Sequence, residues 1–94
     1  MKDFILLMHN DVVQSGGDWP SYLQTLRERG VFDGGSEIGE GAAFRKNGGA
    51  QISRTIGGYI RIRAETLDAA KEYLKGNPVY ENGGTVEIRE LPRT

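Results

Sequence analysis

Apolar and polar residues alternate most regularly in Gly57-Gly58-Tyr59-Ile60-Arg61-Ile62-Arg63-Ala64. A period of two is the signature of a half-buried strand. Ile60 and Ile62 fall on one face; Tyr59, Arg61 and Arg63 fall on the other. Thr85 to Leu91 shows the same alternation, with Val86 and Ile88 opposed to Thr85, Glu87 and Arg89. Lys2 to His9 differs, because Phe4-Ile5-Leu6-Leu7-Met8 is apolar at both parities. Such a strand belongs at the centre of a sheet with both faces covered. Helices of the same chain supply one cover, and a second subunit is the economical source of the other.

Two segments carry helical spacing instead. Trp19, Tyr22, Leu23 and Leu26 follow the i, i+3, i+4, i+7 pattern of one face. Asp18 is placed to cap that helix, Pro20 is tolerated in its first turn, and Gly30 fits its C-terminal end. Arg27 and Arg29 lie in the last turn, where the helix dipole favours cations. The second helix is expected over Leu67 to Lys75, capped by Thr66. Leu67, Ala70 and Leu74 share its buried face, and Gly76 and Pro78 stop it.

The remaining stretches are turn-rich. Val31-Phe32 opens an extended run through Gly34-Gly35 to Glu40, whose glycines predict an irregular or bulged edge strand that Ala42 to Phe44 extends. Asn10-Asp11, Ser15-Gly16-Gly17, Asn47-Gly48-Gly49 and Asn82-Gly83-Gly84 are turn signals. The order strand, helix, strand, strand, helix, strand predicts an α+β fold, a ferredoxin-like βαββαβ sandwich with both helices on one sheet face.

Composition narrows the function classes. Ninety-four residues make one domain, 1–94, with little stability to spare. Twelve basic and 13 acidic residues nearly cancel, so no bulk field draws the chain to nucleic acid or an anionic membrane. With no cysteine there is neither a disulfide nor a thiol nucleophile. The longest apolar run is far too short to span a bilayer, and a cytoplasmic protein is expected. One histidine and scattered carboxylates predict no metal site and no cofactor.

Some residues could still carry chemistry. His9 and Asp11 would share a face in a continuing strand, as an imidazole–carboxylate general base; a turn at Asn10 would separate them. Arg61 and Arg63, two apart on one strand face, could grip a carboxylate or phosphate, or could serve ion pairs with Glu87 and similar residues. Tyr59 on the same face offers a phenol to a ligand or packs at a seam between subunits. Gly39-Glu40-Gly41 lacks the Lys-Ser/Thr of a phosphate loop. Glu37 and Glu40, three apart, fall on opposite strand faces and are read as solvent-exposed.

Met1-Lys2-Asp3-Phe4-Ile5-Leu6-Leu7-Met8-His9, Leu26-Arg27-Glu28-Arg29-Gly30, Gly57-Gly58-Tyr59-Ile60, Leu67-Asp68-Ala69-Ala70 with Asn77-Pro78, and Val86-Glu87-Ile88-Arg89 together resemble the YCII-related, or DGPF-domain, proteins. The resemblance spans nearly the whole chain. It implies a homodimer in which two ferredoxin-like units form a dimeric α+β barrel with a cavity at the interface. Asn47-Gly48-Gly49-Ala50 stands where the family carries Asp-Gly-Pro-Phe, and Trp19 stands near the position of a family histidine that pairs with aspartate in a proposed acid/base dyad. Two functions follow as expectations. One is a small polar or aromatic molecule bound, or acted on by acid/base chemistry, with His9, Tyr59, Arg61 and Arg63 as ligand-binding candidates and His9 and Asp11 as catalytic candidates. The other is a noncatalytic domain with a regulatory protein partner, as implied by family members found beside alternative sigma factors.

Overall fold

Three rows of side chains explain how the sheet is covered on one side. The computed structural model describes residues 1–12 and 17–93. Four antiparallel strands, β1 (Lys2–His9), β2 (Phe32–Glu37), β3 (Ile56–Ala64) and β4 (Val86–Leu91), lie in the order β2-β3-β1-β4. Pairing sets the rows on the helix side: Phe32, Ile62, Phe4 and Glu90; then Gly35, Ile60, Leu6 and Ile88; then Glu37, Gly58, Met8 and Val86. Phe4, Leu6, Ile60 and Ile62 are buried there with Tyr22 and Leu26 of α1 (Trp19–Glu28). Removing a side chain such as Leu26 from water contributes roughly 1.5–3 kcal/mol.

The topology is that of a small α+β domain and is compatible with a ferredoxin-like fold. Alternation predicted the strand faces because β3 and β4 each have one covered side. In β1 the second apolar set, Ile5 and Leu7, lies on the open side and is half-buried within the single chain. β2 is an edge strand, and its pairing with β3 is bulged between Phe32 and Gly35, as its glycines suggested. It ends at Glu37. The stretch from Ile38 to Thr55, including the expected extension Ala42 to Phe44, forms neither strand nor helix, and Phe44 is 91% exposed on it.

The helices begin where the caps predict. The Asp18 carboxylate accepts from Ser21 N–H at 2.9 Å. Gly30 follows α1 with φ +71°, a left-handed turn that glycine adopts without strain. The second helix departs from expectation. α2 (Leu67–Lys71), capped by Thr66, tightens into a 3-10 turn over Glu72–Leu74. The tightening rotates later residues out of the 3.6-residue phase. Ala70 is fully buried but Leu67 is 52% exposed, so the expected Leu67-Ala70-Leu74 face does not form. After Gly76 a further helix appears, α3 (Pro78–Glu81). Asn77 caps it, its carboxamide oxygen accepting from Val79 and Tyr80 N–H at 3.0 and 3.1 Å. The turn expected at Ser15-Gly16 lies outside the described residues. Among the described residues, no helix is long and apolar enough to cross a membrane.

Candidate functional site: a glycine-lined cavity under the helices

The third row on the helix side is short of volume. Gly58 lies between Glu37 and Met8, and Gly35 occupies the neighbouring position of β2. Beside these two glycines, facing α1, a cavity of about 650 Å³ opens. Met8, Trp19, Leu23, Phe32, Ile60 and Val79 give it an apolar wall. His9, Asn10, Ser36 and Glu37 line it with polar groups, and Gly35, Gly57 and Gly58 complete it.

Close approach of backbone requires one of these glycines, Gly35, and a side-chain contact favours a second, Gly57. A Cβ on Gly35 would lie 2.5 Å from the Tyr59 carbonyl oxygen, and one on Gly57 would collide with the Asn10 carboxamide. Gly57 also sits where the β1–β3 register shifts between Met8 and His9. A second irregularity, between Phe32 and Gly35, is nearby on β2. Bulges of this kind interrupt the ladder and redirect neighbouring side chains. Gly58 is different: a Cβ there would meet only the Ser36 carbonyl oxygen at 3.3 Å and the mobile end of Met8 at 3.4 Å within the tight range.

Most polar groups on the wall already have partners. Asn10 donates from Nδ2 to the Arg54 carbonyl at 3.3 Å. Ser36 donates to the Glu37 carbonyl at 2.8 Å. The His9 imidazole lies with Nε2 2.7 Å from Glu87 Oε2, a contact on the open side of the sheet, where Glu87 stands opposite Leu7. The Glu37 carboxylate has no hydrogen-bond or ion-pair partner among the described residues. Its pairing with Gly58 puts it on the helix side, next to the cavity.

The candidates read from sequence separate into several places. His9 and Asp11 do not form a pair. Asp11 accepts from Thr85 N–H at 3.0 Å and from the Thr85 hydroxyl at 2.6 Å, bonds that hold its carboxyl below the usual carboxylate range. His9 takes Glu87 instead, because the chain bends at Asn10 and ends the alternation. Tyr59, Arg61 and Arg63 lie together on the open face, away from the cavity. Arg63 is committed to β2: its Nε lies 3.1 Å from Asp33 Oδ2, and its Nη2 donates to the Gly30 carbonyl at 2.9 Å. Arg61 has no ion pair among the described residues, so the two arginines do not present a common clamp. Asp3, opposite Arg63, is bonded to Arg93 at 2.8 Å, and that bond lowers its carboxyl.

Sequence reasoning missed the cavity and the part that Glu37 plays in it. The available signal was Gly35 and Gly58 at inward positions of two paired strands. Among the described residues, no group of three or more His, Asp or Glu side chains lies together to hold a metal ion. No family model, curated protein or solved structure matches the chain.

Proposed function

We propose that this chain is a small-molecule binding protein whose ligand places an apolar or aromatic body in the cavity between α1 and the β2–β3–β1 end of the sheet. The cavity itself carries the reading. Its volume falls within the range of roughly 300–1,000 Å³ typical of ligand sites, and an apolar wall with a few polar groups is their usual make-up. Trp19 and Phe32 suit it to an aromatic ring. Binding is favoured over turnover because Asp11 is engaged by Thr85 and is not free to orient His9.

The resemblance to YCII-related proteins supports the same reading and adds a homodimer. A second copy would cover the open face, where Ile5 and Leu7 are flanked by Tyr59, Arg61, Glu87 and Arg89, giving a dimeric α+β barrel. Half-buried apolar residues in the middle of that face are the observation that favours the pairing.

Trp19 is the chain's single tryptophan and lines the cavity, so its indole N–H signal in a nitrogen–proton NMR spectrum reports occupancy directly. Titration with 2-phenylethanol should shift that signal saturably. Gly58→Val should weaken binding at least tenfold by filling the space, with a well-dispersed nitrogen–proton NMR spectrum showing that the variant is folded. A Trp19 signal that does not respond, or a Gly58→Val variant that binds as well as the parent, would remove the reading.

A further inference from the structure

Resting on the cavity as a binding site, we infer that its ligand is a cationic amine with an apolar or aromatic body, and that Glu37 holds the ammonium group. The charge inventory of the wall leads to this. Among the described residues no lysine or arginine lines the cavity, and Glu37 is the one lining residue of fixed charge. The Asn10 amide and the Ser36 hydroxyl donate to backbone carbonyls, and the His9 imidazole contacts Glu87. The Glu37 carboxylate has no protein partner among the described residues, and it lies on the helix-facing side of β2 beside Gly58.

A carboxylate of this kind selects by sign. It attracts a protonated amine by a charge-assisted hydrogen bond and repels a carboxylate or phosphate ligand. The aromatic wall works in the same direction, because the face of an indole or phenyl ring attracts cations. Phe32 already demonstrates the geometry: the Arg27 guanidinium lies over its ring, 5.0 Å from the centroid, and Arg27 is not itself a lining residue. Glu37 is exposed, so it stands where a ligand's charged head can stay partly hydrated while its body enters the apolar space.

The test compares 2-phenylethylamine, 2-phenylethanol and 3-phenylpropanoate, which share a phenyl-bearing chain and differ in the charge of the head group. Each is titrated into the parent protein, Glu37→Gln and Glu37→Lys, with the Trp19 indole signal as readout. The parent should bind the amine at least tenfold more tightly than the alcohol and bind the acid most weakly. Glu37→Gln should abolish the preference for the amine, and Glu37→Lys should transfer it to the acid. Both substitutions are at an exposed, unpaired side chain and should leave the unfolding midpoint unchanged. If the alcohol binds as tightly as the amine, or Glu37→Gln keeps the amine preference, the assignment to a cation is overturned and the cavity reading stands. If none of the three moves the Trp19 signal, both are overturned.

Discussion

The two ends of the helix-covered face use the same three strands and reach opposite results. At one end, Phe32, Ile62 and Phe4 stand in a row, and Ile62 and Phe4 are buried with Leu26 and Ala70. At the other, the same strands present Glu37, Gly58 and Met8, and the helices lie over empty space. Side-chain volume differs between the ends, and so does strand pairing, which is irregular between Met8 and His9 beside the cavity. Along β2 the inward series runs from phenylalanine to glycine to glutamate, so apolar volume is withdrawn and charge added at the same end. A protein of 94 residues has few core positions to spare, which makes a cleft of this size, open to solvent at Asn10, Ser36 and Glu37, a feature that the rest of the core must support.

The sharpest way to break that comparison is to truncate one residue in each setting. Leu6 is fully buried in the middle row, and Leu6→Ala should destabilise the protein by about 2–5 kcal/mol. Met8, one row further along, is also buried but borders the cavity. A side chain facing a void has fewer contacts to lose, so Met8→Ala should cost about 2 kcal/mol or less. Urea unfolding of the two variants measures the difference. Equal losses would mean that the cavity end is as well packed as the other.

A middle-sized effect is expected at Asn77, whose fully buried carboxamide starts α3 and so fixes Val79 in the cavity wall. Asn77→Ala leaves two N–H groups without their acceptor. Losing such a cap should lower stability by about 1–2 kcal/mol, read as a shift in the urea midpoint. A change within a few tenths of a kcal/mol would show that α3 is held by Pro78 and Val79 packing alone.

How far these features could be read from the chain depended on whether local chemistry or tertiary placement decided them. Alternation in β3 and β4, the caps Asp18 and Thr66, and the glycine at the end of α1 act over a few residues, and the structure follows them. α3 was hidden because Pro78 reads as a helix stop, whereas proline in the first turn after an asparagine cap begins one equally well. The Leu67-Ala70-Leu74 face was misjudged because periodicity assumed one continuous helix to Lys75, whereas α2 ends at Lys71 and the 3-10 turn breaks the phase before Leu74. Glu37 and Glu40 were set on opposite faces by counting along a strand that ends at Glu37. The cavity was least legible. Gly35 and Gly58 look like punctuation until pairing shows them inward on neighbouring strands, and pairing is not written locally.

The smallest effect is expected at the rim. Asp11 joins the end of β1 to the start of β4 through two bonds from Thr85, and both favour its ionised form. Its carboxyl in the folded protein is therefore below the unfolded value of about 3.9. The sign follows from linkage: the unfolded chain takes up this proton first as pH falls, so the contribution is complete above about pH 4 and is lost as pH falls through the lowered folded value. Asp11→Asn should consequently be less stable than the parent at pH 7, and the gap should narrow on acidification below about pH 4. Because the carboxylate is fully exposed, the gap should be the smallest of the three and should leave Trp19 reporting an unchanged cavity. Thermal midpoints of the two proteins at pH 7 and pH 3 decide it. A gap that stays constant or widens in acid would show that the Asp11–Thr85 bonds do not tie β1 to β4 in solution.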